Sequence, residues 1–312
     1  MKIGLIGPGI MPIPPKGWGG VEHLIWNFYQ QLKKVGDEVV IINTPDVNNI
    51  VSTVNGGDFD AVHLHYDQFA GVMPYLSCGK KMITSHYPYL ENPEPQYVFL
   101  YDLLKNSGSH IVSLSDRIKD EFVRRDIPEN QISILPCGID TDLYSIDMDD
   151  VVHPDRSIVV GKIEPRKRQA HLQKRGLNID FIGNCADPNF DQSDPYYLGE
   201  QSKQDIMDNL TAYANMVLLS SGEAHPFVCL EAMVAGLGLV LSEQSTANLD
   251  LSQPFITVIP DDKIDDFEYL DEKIRENREI SLGMRKEIRE YCYNNFDWVN
   301  VIKKYKSIIE SI

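Results

Sequence analysis

Hydrophobic positions along the chain fall into short apolar runs separated by segments with helical spacing. Apolar runs bounded by Gly, Pro or polar residues predict buried strands at Ile3 to Ile6, at EVVIINT (38–44) and at AYANMVLLSS (212–221). Between the first two strands, the segment 21–36 has apolar residues three or four positions apart and ends at Gly36, which predicts a helix. Strand, Gly-rich loop, helix and strand make a right-handed βαβ unit. The pattern therefore predicts an α/β protein.

The same pattern continues through both halves of the chain. Further strands are predicted within FDAVHLHY (59–66), KKMITSHY (80–87), SHIVSLS (109–115), ISIL (132–135), SIVV (157–160) and NIDFIGN (178–184). The tail has apolar residues at helical spacing: Phe296, Val299, Ile302, Tyr305, Ile308 and Ile309. These positions predict a last helix that buries one face.

Length indicates two domains. A chain of 312 residues is too long for one common core and fits two domains of roughly 150 residues each. The acidic, aperiodic segment IDMDDVVHPD (146–155) predicts the boundary near 150. We therefore expect domains at 1–150 and 151–295, followed by the helical segment 296–312.

Composition excludes several classes of protein. The chain is 43% hydrophobic and 24% charged, as in ordinary globular proteins, and its formal net charge is -17. That charge opposes binding to nucleic acid and to anionic lipid. Five scattered cysteines without a C-x-x-C pair fit reduced thiols in a cytoplasmic protein. The first apolar run is too short for a signal peptide, and no run approaches the length of a membrane span.

Two glutamates lie on either side of the apolar run that follows the strand at 212–221. Glu223 comes in a polar loop after this strand, and Glu231 lies in an early turn of a helix predicted to end before Gly236. Ligands of open α/β sheets bind at the carboxyl ends of the strands, where helix N-termini offer N–H groups to anions. The arrangement could hold a hydroxyl-rich ligand that carries phosphate, although two glutamates eight apart also occur by chance.

Basic residues cluster after the strand predicted at 158–160. Lys162, Arg166, Lys167, Arg168, Lys174 and Arg175 lie close together in an otherwise acidic chain. Such a run is often a solvated helix face, but its place directly after a strand favours anion binding.

Two features of the first half are weaker candidates. Gly19 and Gly20 precede the first helix, where bare backbone could approach a phosphate or a sugar, although Gly-Gly is often only a turn. His86 follows a strand, so it is either a site residue or a loop cap. His63 and His65 alternate on one strand, but without a third ligand at a readable spacing a metal site is not expected.

The block Glu-x7-Glu followed by EAMVAGLGLVLSE resembles the donor-site motif of glycosyltransferase family 4, the retaining nucleotide-sugar glycosyltransferases of the GT-B fold. The Gly-rich loop, TSHYPY (84–89), the loop ISILPCGIDTDLYS (132–145), the paired cations and Asp297-Trp298 are similar to segments of that family, in the same order. The resemblance implies two Rossmann-like domains with a cleft between them. It also implies that the last helix crosses back to the first domain.

The resemblance implies roles for twelve residues. Those implied in catalysis are His86, Lys162, Lys167 and Glu223, and those implied in donor binding are Gly19, Gly20, Gly199, His225, Pro226, Phe227, Val228 and Glu231. Glu231 would accept hydrogen bonds from ribose and Glu223 from the transferred sugar. Lys162 stands where the family has Arg, which keeps the charge but loses bidentate geometry.

The implied activity is transfer of a sugar from a UDP or GDP sugar to an acceptor hydroxyl with retention of configuration. No metal or cofactor is expected, and the acceptor could be a carbohydrate, a lipid-linked molecule or a small molecule. Association with a membrane surface stays open. Two alternatives remain at this point: a GT-B nucleotide-sugar epimerase or phosphorylase, and a catalytically silent nucleotide-sugar-binding subunit.

Overall fold

The computed structural model describes residues 1–16, 19–86, 97–143 and 151–312. These residues form two compact units. Unit 1 comprises Met1–Cys137 and Trp298–Ile312, and unit 2 comprises Gly138–Asp297. The units thus divide at 137/138 and 297/298, whereas the sequence placed the boundaries near 150 and 295.

Unit 1 is built on a parallel sheet of six strands. They are β1 (Lys2–Gly7), β2 (Glu38–Asn43), β3 (Ala61–Leu64), β4 (Lys80–Ile83), β5 (His110–Ser113) and β6 (Ile132–Ile134). Their order in the sheet is β2-β1-β3-β4-β5-β6. The chain therefore reverses its direction of travel across the sheet between β1 and β3, and the loops that follow these two strands meet at its carboxyl edge.

Four helices of unit 1 lie between these strands in the described residues. They are α1 (Gly20–Lys34), α2 (Val47–Asn55), α3 (Phe99–Asn106) and α4 (Asp116–Arg124). Ser115 caps α4, because its side chain accepts a hydrogen bond from the N–H of Ile118. Similarly, Asp46 caps α2 by accepting from the N–H of Asn48. The sequence did not predict α2.

Unit 2 is built on a second parallel sheet. Its strands are β7 (His153–Val160), β8 (Ile179–Ile182), β9 (Tyr213–Leu218), β10 (Gly238–Ser242) and β11 (Ile256–Ile259), in the order β11-β10-β9-β7-β8. Its helices in the described residues are α5 (Gln169–Lys174), α6 (Lys203–Asn209), α7 (Phe227–Val234), α8 (Phe267–Leu282) and α9 (Arg285–Phe296). Apart from residues 153–156 of β7, which are partly or fully exposed, the strands are mainly apolar and buried, as expected when helices cover a parallel sheet.

A buried asparagine fastens α8 to the sheet of unit 2. The Asn277 side-chain amide donates to the carbonyls of Leu239 and Phe255 at 3.2 and 3.0 Å. Gly238 begins β10 beneath this helix, and a Cβ there would overlap the hydroxyl of Ser281. Glycine at 238 therefore lets the helix approach the strand closely.

The last helix, α10 (Trp298–Ser311), packs within unit 1. Its Lys306 ammonium lies 2.9 Å from Asp37, and the Lys80 ammonium donates to the carbonyl of Ile312 at 2.9 Å. The predicted helical face is correct at Ile302, Tyr305, Ile308 and Ile309 but wrong at Val299, which is 60% exposed. In α10 the buried face begins at Trp298 instead. Among the described residues, no helix is long and apolar enough to cross a membrane.

Candidate active site

The residues predicted to bind the donor lie mainly where β7 and β9 end. These two strands are neighbours, and the chain continues from β7 to β8 on one side but to β9 on the other. In open α/β sheets, ligands bind beyond the carboxyl ends of the strands at such a switch point. The loops that follow the two strands are joined there, because the N–H of Ser221 donates to the carbonyl of Arg166 at 2.9 Å.

The loop after β7 brings a guanidinium to this edge. Arg166 lies in a short 3₁₀ turn, Pro165–Lys167, that begins after Glu164. Its Nη2 donates to Oε1 of Glu164 at 2.6 Å, and its Nη1 donates to Oε1 of Glu223 at 2.9 Å. Nη1 also contacts the carbonyl of Gly222. Arg166 therefore ties the two loops together while remaining close to both carboxylates.

Lys167 brings a second cation to the same place. If residue 161 had a Cβ, that atom would lie 3.0 Å from the Nζ of Lys167. Glycine at 161, whose φ is +138°, therefore leaves room for the ammonium and permits the turn. The same Nζ lies 3.8 Å from Oε1 of Glu223. The two residues that the sequence placed at different strand ends are thus neighbours.

Lys162 reaches the same carboxylate as Arg166. Its Nζ is 3.9 Å from Oε2 of Glu164, and its side chain is more than a third exposed. Arg166 contacts both Glu164 and Glu223. Sequence reasoning counted Arg166 in the basic cluster but did not assign it to the site, because Lys162 occupies the position that matches the family's Arg.

Glu223 is surrounded by donors. Its Oε1 accepts from the hydroxyl of Ser220 at 2.8 Å, in addition to Arg166 and the nearby Lys167. Burial opposes the charge of Arg166, but Glu223 and Glu164 more than offset it, so the pKa of the guanidinium is raised. Arg166 therefore stays charged at neutral pH, between the two carboxylates.

Glu231 lies in the second turn of α7 and is nearly buried. Its Oε1 makes an ion pair with the ammonium of Lys203, the first residue of α6. The sequence did not assign Lys203 to the site, and no local spacing indicates it, because 28 positions separate the partners.

The start of α7 presents N–H groups that lack a partner within the helix, four residues after Glu223. Pro226 is the N-cap and makes no side-chain capping bond, so the first N–H groups, those of Phe227 and Val228, have no acceptor within the helix. Such a terminus suits an anion. His225, just before it, packs its ring 5.8 Å from that of Phe296, and burial lowers its pKa to about 4. His225 is therefore neutral at pH 7.

Gly199 lies beside the end of β8. Its carbonyl accepts from the N–H of Gly183 at 2.9 Å, and its φ is +76°. Tyr197 donates its hydroxyl to the carbonyl of Gly183 at 2.9 Å, which holds the same loop against the strand. The loop that contains Gly199, a residue implied in donor binding, is thus anchored at the carboxyl edge of the unit 2 sheet.

The other predicted site residues belong to unit 1. Gly19, with φ +133°, precedes α1, and Gly20 is its first residue. Among the described atoms, none outside the neighbouring residues lies within 4 Å of the place that a Cβ of Gly20 would take. The loop before them includes residues 17 and 18, which lie outside the described residues. The backbone at Gly20 is thus open to approach.

His86 ends the described part of the segment TSHYPY. Its Nε2 lies 3.1 Å from Nδ1 of His65, and the two rings stack. Burial lowers the pKa of His86 to about 4, so it is neutral at pH 7. Residues 87–96 lie outside the described part of the chain.

His63, in β3, and His65, just after its end, lie on the same side, as predicted. Their ring centroids are 4.0 Å apart. His63 contacts the hydroxyls of Thr84 at 2.8 Å and Tyr305 at 3.2 Å. Both histidines therefore have hydrogen-bonding roles inside unit 1. In the described ranges, no group of three or more His, Cys, Asp or Glu side chains is arranged to hold a metal ion.

Comparison with known proteins gives a family match and a fold. Residues 47–143 match the family model for Glycosyltransferase Family 4. The sequence matches no curated protein. Among solved structures, AviGT4, a glycosyltransferase involved in avilamycin A biosynthesis, is 18% identical with a TM-score of 0.70, covering 99% of this chain and 97% of its own. The chain has the GT-B fold.

Two more structures extend the match. Sucrose-phosphate synthase from Thermosynechococcus elongatus is 15% identical with a TM-score of 0.77, over 99% of this chain and 98% of its own. Anabaena HepE in complex with UDP and glucose is 13% identical with a TM-score of 0.73, over the whole of both chains. The predicted α/β architecture and the resemblance to GT-B glycosyltransferases are confirmed.

Proposed function

We propose that this GT-B glycosyltransferase moves a sugar from a nucleoside diphosphate sugar to an acceptor hydroxyl, with retention of the anomeric configuration. The observation that carries the proposal is the meeting of Arg166, Lys167 and Glu223 at the β7/β9 edge, beside the open start of α7. Cations and a helix N-terminus suit a diphosphate. The carboxylate beside them suits sugar hydroxyls.

Charge is the chemical difficulty of the reaction. As the glycosidic bond breaks, the anomeric carbon becomes cationic and the diphosphate leaves with additional negative charge. Arg166 and Lys167, held in place by Glu164 and Glu223, provide positive charge already aimed at the leaving group, so little reorganisation is needed. We propose that these cations do what a divalent metal does in other transferases, so activity should survive chelation with EDTA.

The two glutamates have separate tasks in this proposal. Glu223 accepts hydrogen bonds from the transferred sugar, and Glu231 accepts them from the ribose. Neither is assigned as a nucleophile, because Glu223 is already surrounded by Arg166, Lys167 and Ser220. We propose that the departing phosphate accepts the proton of the acceptor hydroxyl on the same face of the sugar.

The proposed donor is a UDP or GDP sugar. A UDP donor is supported by HepE, which has the same fold and was solved in complexes with UDP-glucose and with UDP. No other cofactor is proposed. Candidate acceptors are carbohydrates, lipid-linked molecules and small molecules.

A donor screen tests the proposal. Thermal unfolding is measured with UDP, GDP and their sugar conjugates, since a ligand at 100 times its dissociation constant stabilises by about 2.7 kcal/mol. The donor found is then incubated with an acceptor panel, and the anomeric configuration of the product is read by NMR. A product of the donor's own configuration is expected. An inverted product, or an epimerised donor formed without acceptor, would contradict retaining transfer.

A further inference from the structure

Lys203 is placed against the local rules of helix stability. It is the first residue of α6, where the Ser202–Asp205 capping box fixes the start of the helix. A cation at a helix N-terminus opposes the helix dipole. Its ammonium also lies near the start of α7, where the dipole again disfavours positive charge. An interaction outside its own helix must therefore compensate for this position.

Glu231 provides that interaction. The Lys203 ammonium pairs with Oε1 of Glu231 and lies 5.6 Å from the centre of the Phe227 ring. Phe227 and Glu231 are four residues apart on α7, so they share one face of that helix. Lys203 thus contacts a carboxylate and an aromatic face together, both of them in the predicted donor site.

The ion pair with Lys203 stabilises the charged form of the nearly buried Glu231 carboxylate. The Glu231 side chain is 7% exposed, whereas that of Lys203 is 37% exposed. A carboxylate so poorly solvated needs a counter-ion to stay charged. The ammonium contacts Oε1, and a carboxylate has about four acceptor positions, so capacity for ligand hydroxyls remains.

We propose that Lys203 is a positioning residue for ribose recognition: it holds the Glu231 carboxylate charged and oriented so that its remaining acceptor positions receive the ribose hydroxyls. This inference rests on the proposed function, in which Glu231 binds the ribose. Lys203 acts through Glu231 and is not required to touch the nucleotide.

The test measures discrimination between ribose and deoxyribose. Calorimetry gives the dissociation constants of UDP, 2′-deoxy-UDP and 3′-deoxy-UDP for the wild type, Lys203→Met, Lys203→Arg and Glu231→Gln. If the wild type binds GDP but not UDP, the guanosine series is used. The wild type should prefer at least one ribose hydroxyl by about 10- to 100-fold, the range of a hydrogen bond to a charged acceptor. Lys203→Met should reduce this preference to about threefold or less, and Lys203→Arg should retain most of it.

A double variant separates positioning from mere stability. If Lys203 acts through Glu231, then Lys203→Met combined with Glu231→Gln should bind UDP within about twofold of Glu231→Gln alone. Lys273→Met is the matched control, because Lys273 pairs with Glu276 at 2.7 Å and lies 5.8 Å from the ring of Tyr269 on α8. This control should leave the ribose preference unchanged.

Different failures have different meanings. A Lys203→Met variant that keeps the wild-type preference would overturn the inference and leave the proposed function standing. The inference would also be overturned, and the proposed function left standing, if the double variant's affinity for UDP fell by the product of the fold-losses of the two single variants. A wild type that binds neither UDP nor GDP would overturn the proposed function, and the inference with it. If Lys203→Met does not fold, Lys203→Gln is measured in its place against the same criteria.

Discussion

Replacing Glu223 by Gln removes one negative charge from the β7/β9 edge and keeps the shape of the side chain. In the wild type, Oε1 of Glu223 lies 2.9 Å from Arg166 and 3.8 Å from Lys167. At an effective dielectric constant near 20, these separations correspond to gross attractions of about 6 and 4 kcal/mol. The amide of Gln keeps an acceptor for the hydroxyl of Ser220 but loses most of this attraction.

The net loss of stability is much smaller than the gross attraction. Breaking a buried ion pair from one side costs roughly 3–5 kcal/mol, and Arg166 keeps its bond to Glu164 at 2.6 Å. We therefore expect Glu223→Gln to lower the free energy of unfolding by about 2 kcal/mol. In a unit of this size, that corresponds to a fall of about 4–8 °C in the unfolding midpoint.

Bound nucleotide should reverse most of this loss. A diphosphate supplies the negative charge that Glu223 no longer provides, so saturating UDP should stabilise the variant more than the wild type. Differential scanning calorimetry with and without UDP measures both effects. Glu276→Gln, in an exposed pair with Lys273, is the control and should leave stability nearly unchanged. A variant as stable as the wild type without ligand would refute the ion cluster. A variant that gains no extra stability from UDP would refute the binding of diphosphate on these cations.

Three further predictions concern stability. Burial lowers the pKa of His63 to about 3, so as pH falls below 6.5 the unfolded chain takes up a proton at this residue that the folded chain does not. This difference lowers the free energy of unfolding by about 2 kcal/mol at pH 5. His63→Gln should therefore flatten the pH dependence of the melting temperature between pH 7 and 5. Burial raises the pKa of Asp67 to about 6, so its ionisation destabilises the fold as pH rises through that value. Asp67→Asn should raise the free energy of unfolding by up to about 3 kcal/mol at pH 7.5 and by little at pH 4, as measured by chemical denaturation. Equal gains at the two pH values would contradict this prediction. Gly238→Ala should lower the free energy of unfolding by about 3 kcal/mol or more, because the added Cβ would overlap Ser281 of α8. Gly79→Ala, with open space at its Cβ, is the control in the same melting assay. Equal stabilities of the two variants would show that α8 can move away from β10.

Local patterns in the sequence were sufficient to predict much of the fold. The apolar runs located most strands because both faces of a parallel sheet are buried. The position of Glu223 after β9 and of Lys167 after β7 also followed from strand order along the chain. Their 3.8 Å separation did not, because it depends on β7 and β9 being neighbours in the sheet.

Contacts between distant parts of the chain were not predictable. Lys203 reaches Glu231 from a different helix, and His63 meets Tyr305 across 242 positions. The contact between Arg166 and Glu223 depends on the 3₁₀ turn at Pro165–Lys167, which directs the guanidinium toward Glu223. No spacing of residue types along the sequence encodes such directions.

The most direct test of the central claim compares two lysines of one basic cluster. Lys167 lies 3.8 Å from Glu223 at the strand edge, whereas Lys174 is exposed at the end of α5. With the donor and acceptor found by screening, Lys167→Ala should lower kcat/KM by about 30- to 1,000-fold, which corresponds to about 2 to 4 kcal/mol of lost transition-state stabilisation. Lys174→Ala should retain nearly all activity. Turnover of Lys167→Ala at the wild-type rate would contradict the role of this edge in stabilising the leaving diphosphate.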